Sequence, residues 1–454
     1  MGSFTFLKTK KIGIFGLGIT GMAAYAAIHE VADKVLVWDD KAANREEFAL
    51  KFGGSSLLDI NGMHWQSLDQ IILSPGIPLN HEIRKIAGSH GIKITSDIDI
   101  LFEECKVAKF VGITGTNGKS TTTALTYHII HNSRHNFAMG GNIGVPALAL
   151  PAGKEGYVLE LSSFQLDLTE SFSASIAVLL NITPDHLDRY KTMEEYIAAK
   201  EKILNSLSAN GYGIVGVDNQ ITKEIFKKFS KDNARMIPIS STQVLAGGVS
   251  VIGNEIYDNI AESVVLDLPD NKSLQGDHNK ENIAASIAVC RLLGVEYEKI
   301  LESVKSFKGL PHRAEYLGDC KGTSFYNDSK ATNAEAASKS IAFLDNIYWL
   351  AGGIAKEGGI KDLSPLFSKI KKAYLFGQDK NQFAESLEGK VQFKLYDNLR
   401  DAFAEACLDA LNDKSETKNI LLAPAAASTD QFKNFEHRGE VFRQLYNDFK
   451  ESDE

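Results

Sequence analysis

Residues 112–123 read GITGTNGKSTTT, and this stretch decides the fold of the middle of the chain. It lies between an apolar segment, KFVGI (109–113), and a helical pattern, TTALTYHII (122–130). A strand that leads through Gly-Lys-Ser into a helix is typical of a phosphate-binding loop. The general pattern has a glycine five residues before Gly118, where this chain has Ile113. We therefore predict a phosphate loop shorter than the common version, with a ligand-free glycine-rich turn as the alternative.

Each residue type in this loop has a chemical use beside a nucleotide. Gly115 and Gly118 allow backbone N–H groups to turn toward a phosphate. Lys119 supplies a cation for the terminal phosphates, and the hydroxyl of Ser120 is placed to reach Mg²⁺, with Thr121 beside it. The loop thus predicts a site for ATP and Mg²⁺.

Short apolar segments recur on both sides of the loop, each ending in Gly, Asp or Ser and followed by a helical pattern. Examples are KIGIFGLG, KVLVWDD, QIILSPG, YVLELSS, SIAVLLNIT, FYNDSK, NIYWLAGG, KAYLFG and NILLAPAAAS. This alternation predicts an α/β fold with parallel sheets covered by helices. In such sheets ligands bind at the carboxyl ends of the strands, so functional residues are expected there.

The length of 454 residues is too great for one ordinary core and predicts about two to four domains. We place one boundary near Asp97, before the helix IDILFEECK, and another near Gly309, before LPHR. The predicted domains are residues 1–97, 98–309 and 310–454.

The composition argues against several classes of protein. A net charge of −9 disfavours a nucleic-acid binder, which usually presents a strongly basic face. The four cysteines are scattered without a Cys-x-x-Cys pair, which disfavours a disulfide framework or a thiolate zinc site. No apolar run reaches the roughly 18 residues of a membrane helix, and the N-terminus lacks a signal-peptide layout. We expect a soluble, cytoplasmic protein that binds neither nucleic acid nor membrane.

A second glycine motif opens the chain. The strand KIGIF leads into Gly16-x-Gly18-x-x-Gly21, and Asp39 follows the next strand. This is the dinucleotide-binding fingerprint, in which glycine lets the backbone approach a diphosphate at a helix N-terminus. The segment Ser74–Gly76 ends another strand and is expected to form a second wall. The motif predicts a diphosphate-nucleotide site more securely than it predicts NAD, and a ligand-free tight turn remains the alternative.

A glutamate and a histidine near the ends of two predicted strands, Glu160 and His186, are candidate metal ligands. Glu160 lies in the otherwise apolar strand YVLELSS, downstream of the phosphate loop, where a Mg²⁺ ligand is expected. Its alternative is an edge strand with one solvent-facing charge. His186 follows the strand SIAVLLNIT, and taken alone it is more typical of a polar loop residue than of a ligand.

Lys200 stands on the apolar stripe of the helical segment TMEEYIAAKEKILNSL, four residues from Tyr196 and from Leu204. One interpretation is a lysine whose charge reaches the surface. The other is an inward lysine near the metal site, partly deprotonated by burial and able to react with CO₂. The resulting carbamate is an anionic oxygen ligand for a second Mg²⁺.

Taken together, ten segments resemble the Mur ligase family, and within it the members that add D-glutamate. The resemblance covers nearly the whole chain. It rests on GLGITG, SPGIP, TGTNGKSTTT, GNIGVP, LELSSFQL, NITPDHLDRY, GDHNKENIAA, GLPHRAE, NDSKATN and APAAASTDQFKNFEHRG, in family order.

The resemblance implies an architecture and a reaction. The family has a UDP-binding Rossmann-like domain, a central phosphate-loop ATPase domain and a Rossmann-like C-terminal domain. ATP phosphorylates a terminal carboxylate, and the amine of D-glutamate attacks the acyl phosphate. The implied substrates are UDP-N-acetylmuramoyl-L-alanine and D-glutamate, the implied pathway is peptidoglycan precursor synthesis, and we expect a monomer.

The resemblance also implies roles for single residues. The catalytic residues are Lys119, Glu160, His186 and Lys200. The two Mg²⁺ ions are bound by Ser120, Glu160, His186 and Lys200, the last as a carbamate. ATP is bound by Gly115, Thr116, Asn117, Gly118, Lys119, Ser120, Thr121, Asn279, Asn282, Arg313 and Asp328. The UDP substrate is bound by Ile19, Thr20, Asp39, Ser74, Gly76, Asn142, Ser162 and Gln165. D-glutamate is bound by Lys330, Thr332, Lys356, Ser428 and Phe435.

One departure concerns the uracil contacts. After Asp39 the chain has Asp40 and Lys41, where the family pattern has Thr and Arg. Three alternatives to the D-glutamate ligase stay open: another amino-acid ligase of the superfamily, folylpolyglutamate synthase, and an NAD-dependent oxidoreductase or nucleotide-regulated binding protein. The N-terminal GLGITG segment disfavours folylpolyglutamate synthase, and a second nucleotide site disfavours a simple dehydrogenase.

Overall fold

The computed structural model describes residues 2–59, 63–232, 235–356 and 358–451. The chain divides into two compact units. The first comprises residues 1–269 and 277–305, and the second comprises 270–276 and 306–454. The division into three domains made from the sequence stays a prediction. Within the described ranges, no helix combines the length and the apolar character needed to cross a membrane.

The first unit opens with a four-stranded parallel sheet. Its strands are β1 (Lys11–Phe15), β2 (Lys34–Trp38), β3 (Gln70–Leu73) and β4 (Lys93–Thr95), in the order β2-β1-β3-β4. The accompanying helices are α1 (Ile19–Ile28), α2 (Ala42–Phe52), α3 (Glu82–His90) and α4 (Asp97–Glu104). The alternation of strand and helix seen in the sequence therefore gives the predicted parallel sheet.

The same unit contains a nine-stranded sheet. Its strands are β5 (Lys109–Thr114), β6 (Phe137–Gly141), β7 (Gly156–Glu160), β8 (Ala174–Leu179), β9 (Leu207–Gly216), β10 (Met236–Ser240), β11 (Val249–Ile252), β12 (Glu255–Asp258) and β13 (Val264–Asp267). The order is β13-β12-β11-β10-β9-β8-β5-β7-β6. The β11–β12 and β12–β13 pairs are antiparallel and the others parallel. The phosphate loop thus leaves a strand in the parallel part of the sheet.

Six helices accompany this sheet along the described chain. They are α5 (Lys119–Asn132), α6 (Ser163–Leu166), α7 (Met193–Asn205), α8 (Gln220–Ser230), α9 (Asp277–Leu292) and α10 (Tyr297–Ser306). Thr192 caps α7 by accepting the N–H of Glu195, and acidic residues stand in the first turn, where the helix dipole favours them. Helix α7 therefore begins where the sequence places its first apolar residue.

The two sheets of the first unit share one hydrophobic core, which contains Ile14 of β1 and Leu159 of β7. A polar anchor adds to it. The buried carboxylate of Asp99 in α4 accepts the N–H groups of Ser171 and Phe172, each at 2.9 Å. A carboxylate that accepts backbone N–H groups in a buried place is a strong contact, so α4 and the 171–172 turn are held together.

The second unit contains a six-stranded sheet and a two-stranded one. In chain order the strands are β14 (Glu315–Cys320), β15 (Thr323–Asn327), β16 (Ile347–Gly352), β17 (Ile354–Ala355), β18 (Ile370–Phe376), β19 (Gln392–Leu395), β20 (Asn419–Leu422) and β21 (Ala426–Ala427). The larger sheet has the order β14-β15-β20-β16-β18-β19, and β17 pairs with β21. Only β14 runs antiparallel to its neighbour in the larger sheet. The helices are α11 (Ala334–Phe343), α12 (Lys380–Leu387), α13 (Leu399–Asn412) and α14 (Phe435–Glu451).

Candidate active site

The phosphate loop joins β5 to α5 and turns on Gly118. Gly118 has a φ of 82°, in the left-handed region that favours glycine. A Cβ at this position would also lie 2.2 Å from Oδ1 of Asn282. Both facts require glycine, so the Gly-Lys-Ser segment has the backbone expected of a loop that opens onto a helix N-terminus.

The first half of the loop is held by Asn181, which follows β8. The Asn181 backbone oxygen accepts the N–H of Thr116 at 2.8 Å, and its side-chain Oδ1 accepts the N–H of Asn117 at 2.9 Å. Sequence reasoning missed Asn181. The available signal was a polar residue directly after an apolar strand next to the loop-bearing strand.

Two lysines converge on one carbonyl oxygen of the loop. Lys119 Nζ donates to the backbone oxygens of Gly115 and Thr116 at 2.9 and 2.8 Å. Lys200 Nζ donates to the same Gly115 oxygen at 2.7 Å. The structure therefore brings together two of the four predicted catalytic residues, 81 positions apart in the chain.

Lys200 is buried, with 2% of the residue exposed. Burial, together with the nearby charge of Lys119, lowers the pKa of its ammonium group to about 7, against the opposing effect of Asp185 and Glu160. Its Nζ lies 4.9 Å from the ring centre of Tyr196. The surface-exposed interpretation of this lysine is therefore wrong, and the inward one agrees with the structure.

Glu160 ends β7, which lies between β5 and β6, and the residue is 2% exposed. The edge-strand interpretation is therefore wrong. One carboxylate oxygen, Oε1, accepts from Asn142 Nδ2 at 2.8 Å. The other, Oε2, is buried and has no hydrogen-bond partner among the residues that the structure describes. An unpartnered buried acceptor next to a phosphate loop suits a hard cation such as Mg²⁺.

His186 stands in a strained turn, with a φ of 54°. Its side chain is half exposed, and Nε2 lies 3.4 Å from Oδ2 of Asp185. The imidazole ring lies 4.8 Å from the Phe164 ring and 6.3 Å from the Tyr196 ring, centre to centre. Tyr196 therefore contacts both His186 and Lys200, and sequence reasoning gave it no role beyond the apolar stripe.

The metal-ligand set predicted from the sequence mixes a hydroxyl, a carboxylate, an imidazole and a modified amine. Ser120 is buried at the start of α5. Throughout the described ranges, no three histidine, cysteine or acidic side chains gather as a ready metal cluster. Of the predicted ligands, Glu160 offers a buried carboxylate oxygen that could bind Mg²⁺ directly. Lys200 could bind the ion only after its amine has been converted to an anionic group.

The asparagines expected beside adenine lie against the phosphate loop on α9. Asn282 accepts from the Thr122 hydroxyl at 3.1 Å and donates to Asn279 Oδ1 at 3.0 Å. Both asparagines are buried. The structure therefore gives Asn282 a loop-supporting contact, and adenine binding by the pair stays a prediction.

The N-terminal glycine loop has the close approaches that its motif requires. Gly16 has a φ of 94°, and a Cβ on Gly21 would lie 1.9 Å from the Gly16 oxygen. Ser74 donates from its hydroxyl to that same oxygen at 2.7 Å. Asp39 accepts the N–H of Leu17 at 2.6 Å. Two predicted UDP-site residues, Asp39 and Ser74, therefore contact the backbone of the loop at Gly16 and Leu17.

The remaining predicted UDP-site residues differ in exposure. Ile19 is 79% exposed at the start of α1, while Thr20 is partly buried and Gly76 is exposed. Ser162 and Gln165 form the capping box of α6, in which Gln165 Oε1 accepts the Ser162 N–H at 3.0 Å. Asp40, the departure from the family pattern, pairs with His81 at 2.8 Å.

The residues predicted in the second unit also gather around short loops. Asp328 accepts from the hydroxyl of Ser340 and from the N–H of Ala314, the latter at 3.1 Å, and burial raises its pKa to about 6. Arg313 stands one residue before Ala314. Arg313 and Asp328 are thus neighbours through this contact.

Lys330 and Phe435 form a cation–π pair, with Nζ 3.7 Å from the ring centre. Thr332 donates its N–H to the Lys330 oxygen at 2.8 Å. Ser428 is buried after β21, and Lys356 is exposed after β17. These five positions are the ones predicted to surround D-glutamate.

Arg438 was missed by sequence reasoning. Its fully buried guanidinium donates to the hydroxyl and the backbone oxygen of Ser329, at 3.0 and 2.8 Å, and to the Ala426 oxygen at 3.1 Å. It therefore holds the loops that carry Asp328 and Ser428. An arginine inside the closing motif was the available signal.

Comparison with known proteins gives two kinds of likeness. Residues 113–290 match the family model of the Mur ligase middle domain. The chain is 53% identical to a UDP-N-acetylmuramoylalanine–D-glutamate ligase of Rickettsia bellii over 98% of both chains. It is 39% identical to the protein of the same name from Wolbachia pipientis, covering 98% of this chain and 97% of that one.

Solved structures show the fold. A UDP-N-acetylmuramate-alanine ligase from Thermotoga maritima superposes with a TM-score of 0.59 at 18% identity, covering 97% of this chain and 99% of the other. A MurF ligase from the same organism, solved with ADP, superposes with a TM-score of 0.57 at 17% identity, covering 98% and 97%. These likenesses confirm the predicted fold class, the α/β fold of three-domain Mur ligases. The chain belongs to the Mur ligase family, and within it to the group that the curated relatives represent.

Proposed function

We propose that this chain is an ATP-dependent ligase that joins D-glutamate to UDP-N-acetylmuramoyl-L-alanine in peptidoglycan precursor synthesis. The observation that carries the proposal is the 53% identity, over 98% of both chains, to a ligase of that name. The convergence of Lys119, Lys200 and Glu160 at one strand edge supports it, because carboxylate activation by ATP needs cations and a metal there.

The phosphate loop receives the triphosphate of ATP. Lys119 now caps the carbonyl oxygens of Gly115 and Thr116, and it would turn from them toward the transferring phosphoryl group. The N-terminus of α5 adds a positive dipole end, and Gly118 gives the phosphates access to it. Asn279 and Asn282 would border the adenine, with Arg313 and Asp328 on the phosphate and ribose.

The reaction proceeds in two transfers. The terminal carboxylate of the UDP substrate attacks the γ-phosphorus, an O–P bond forms, and ADP leaves. The amine of D-glutamate then attacks the acyl carbon, loses a proton, and expels inorganic phosphate to leave the amide. Positioning provides much of the rate gain, because three anions have to be brought together.

Mg²⁺ would be held by Ser120 and Glu160 at one position, and by His186 and a modified Lys200 at another. Bound there, the ions would offset the charge of phosphates and carboxylate. Asn142 orients Glu160 by its hydrogen bond to Oε1, which leaves Oε2 free to coordinate.

Lys200 is proposed to carry a carbamate. Its neutral amine would add to CO₂, forming an N–C bond and releasing one proton, and the product is an anion. The lowered pKa, about 7, supplies neutral amine at physiological pH. The anion would also end the repulsion between two cations on one carbonyl oxygen.

The other two substrates are assigned to other parts of the chain. Residues 1–97 would bind the UDP moiety, with Ile19, Thr20, Asp39, Ser74 and Gly76 as its wall. Asn142 of the second domain, residues 98–309, would complete the uracil and diphosphate site, and Ser162 and Gln165 of that domain would also contact the UDP substrate. Residues 310–454 would bind D-glutamate through Lys330, Thr332, Lys356, Ser428 and Phe435. We propose a cytoplasmic monomer.

The test is product formation with a panel of amino acids. The protein is incubated with ATP, Mg²⁺, UDP-N-acetylmuramoyl-L-alanine and D-glutamate, L-glutamate, L-lysine or meso-diaminopimelate, and phosphate release and product mass are measured. We expect phosphate and one new amide with D-glutamate. Turnover only with a different amino acid would reject the substrate assignment, and oxidation of NADH in a parallel incubation would favour the oxidoreductase alternative.

A further inference from the structure

We propose that Glu281 is a positioning residue for the phosphate loop and that it acts through Asn181. The inference rests on the proposed function, because it concerns the loop that would hold ATP. Glu281 stands on α9, and Asn181 follows β8, 100 positions earlier in the chain. The link is one hydrogen bond, from Asn181 Nδ2 to Glu281 Oε2 at 2.8 Å.

The side-chain amide of Asn181 has two different ends, and the loop uses one of them. Its oxygen, Oδ1, accepts the N–H of Asn117 at 2.9 Å. If the amide were reversed, an NH₂ group would face the N–H of Asn117, and two donors would meet. The loop contact therefore depends on which way the Asn181 amide is turned.

A carboxylate on the opposite side sets that direction. Ionised Glu281 can only accept hydrogen bonds, so it binds the NH₂ end of Asn181 and leaves Oδ1 for Asn117. The Asn181 backbone oxygen meanwhile accepts the N–H of Thr116 at 2.8 Å. With the amide set in this way, two successive loop N–H groups are held by one residue.

The carboxylate of Glu281 occupies space that is left by the absent side chain of Gly216. A Cβ on Gly216 would lie 2.3 Å from Glu281 Oε1 and 2.1 Å from the Leu180 oxygen. Glycine at the end of β9 thus lets the carboxylate approach the backbone. Burial raises the pKa of Glu281 to about 7; the hydrogen bond from Asn181 opposes this shift by favouring the ionised carboxylate, and the charge of Asp218 assists it.

The neighbouring residue on α9 supports the other half of the loop. Asn282 packs against Gly118 and accepts the hydroxyl hydrogen bond of Thr122 at 3.1 Å. Glu281 and Asn282 therefore hold the two sides of the same turn from one helix. A merely structural role for Glu281 would predict lost stability without a selective effect on ATP.

The experiment compares Glu281→Leu, Glu281→Gln, Asn181→Ala and the double variant Glu281→Leu/Asn181→Ala. The control is Glu298→Gln, an exposed glutamate of α10. For each full-length protein, the Kd for ATP is measured by calorimetry, the KM values for all three substrates by phosphate release, and the Tm by thermal melting. ATP binding is measured without the other substrates, so a failed ligase assay would reject the proposed function without deciding this inference.

We expect Glu281→Leu to weaken ATP binding and raise the KM for ATP by about five- to tenfold, the effect of losing one hydrogen bond in a network. The KM values for the UDP substrate and D-glutamate should change by less than about twofold. Glu281→Gln, which keeps an oxygen for the Asn181 amide, should retain most of the affinity. The double variant should bind ATP no more weakly than Asn181→Ala.

Three results would overturn the inference: an unchanged Kd for ATP in Glu281→Leu, equal losses for all three substrates, or additive losses in the double variant. If Glu281→Leu does not fold, the inference is tested with Glu281→Gln and Asn181→Ala instead. Wild-type affinity for ATP in Asn181→Ala would then exclude a relay through this residue.

Discussion

Lys119 and Lys200 donate to one acceptor, the backbone oxygen of Gly115, at 2.9 and 2.7 Å. Lys200 is buried, and its ammonium group is in addition repelled by that of Lys119 on the same carbonyl oxygen, so its pKa falls to about 7. Conversion of Lys200 to an anion would therefore remove the repulsion between Lys200 and Lys119.

Replacing Lys200 should separate its chemical role from its structural one. In Lys200→Ala we expect turnover to fall by about 100-fold or more, because a proposed metal ligand is lost. Added acetate should restore part of the activity, since a small carboxylate can occupy the vacated space. The matched control is Lys202→Ala, on the same helix and paired with Asp167 at the surface.

A direct observation accompanies this prediction. With ¹³C-labelled CO₂, wild-type protein should show a carbamate carbon signal by NMR that is missing in Lys200→Ala. Unchanged turnover in the variant, or the absence of the signal from wild-type protein under turnover conditions, would show that Lys200 is not a carbamylated metal ligand and only packs in the core.

Asn142 should tune Mg²⁺ binding through Glu160. It donates to Glu160 Oε1 at 2.8 Å, and no described residue forms a hydrogen bond with the second oxygen. Asn142→Ala should raise the Mg²⁺ concentration needed for half-maximal activity by about 10- to 100-fold. Activity at saturating Mg²⁺ should recover in part, and Asn136→Ala, an exposed asparagine, is the control. An unchanged Mg²⁺ dependence would show that Asn142 does not influence metal binding by Glu160.

Asp97 should make the wild-type protein less stable as pH rises from about 4 to 6. The residue is 3% exposed, and burial raises its pKa to about 6, a shift that two backbone N–H groups oppose and the charge of Asp99 assists. The unfolded value is about 3.9, so the folded state favours the protonated form. The stability that this preference contributes is present below about pH 4 and is lost as pH rises through about 6.

The variant Asp97→Asn lacks this titration. Relative to the wild type, its free energy of unfolding should increase by up to about 3 kcal/mol between pH 4 and pH 7.5. Urea unfolding at four pH values measures the difference, with Asp33→Asn, an exposed aspartate, as control. Parallel stability curves for wild type and Asp97→Asn would show that the carboxyl does not titrate in this way.

Phe435 should contribute to D-glutamate binding by placing Lys330. The Lys330 Nζ lies 3.7 Å from the ring centre, and the Ser329 hydroxyl donates to the Phe435 oxygen at 2.8 Å. Phe435→Leu should raise the KM for D-glutamate about three- to tenfold, and Phe435→Tyr should stay near wild type because the ring face is kept. Equal KM values in both variants would mean that the ring does not position the lysine.

The fold could be predicted from local pattern because its parallel strands are short apolar segments with Gly, Asp or Ser at their ends. β5, β7 and β8 lie where KFVGI, YVLELSS and SIAVLLNIT placed them. The order of the nine-stranded sheet could not be predicted, since the position of β8 next to β5 depends on packing between distant segments. The antiparallel extension through β11, β12 and β13 carried no motif.

The candidate site was predicted as far as its residues belong to contiguous motifs. Lys119 and Ser120 follow from the loop itself, whereas the direction of Lys200 required the helix to be seen against β5 and β8. Asn181, Glu281 and Arg438 were missed because their contacts reach across 64, 100 and 109 positions, and no single segment displays them. The roles assigned to individual substrate-binding residues stay predictions.

The central claim is that the phosphate loop activates a carboxylate by phosphorylating it. The most direct test uses UDP-N-acetylmuramoyl-L-alanine labelled with ¹⁸O in its terminal carboxylate, with ATP, Mg²⁺ and D-glutamate, and mass spectrometry of the released phosphate. An acyl phosphate transfers one carboxylate oxygen to phosphorus, so we predict one ¹⁸O atom in each phosphate released from doubly labelled substrate. Phosphate without ¹⁸O, released together with amide product, would contradict the account.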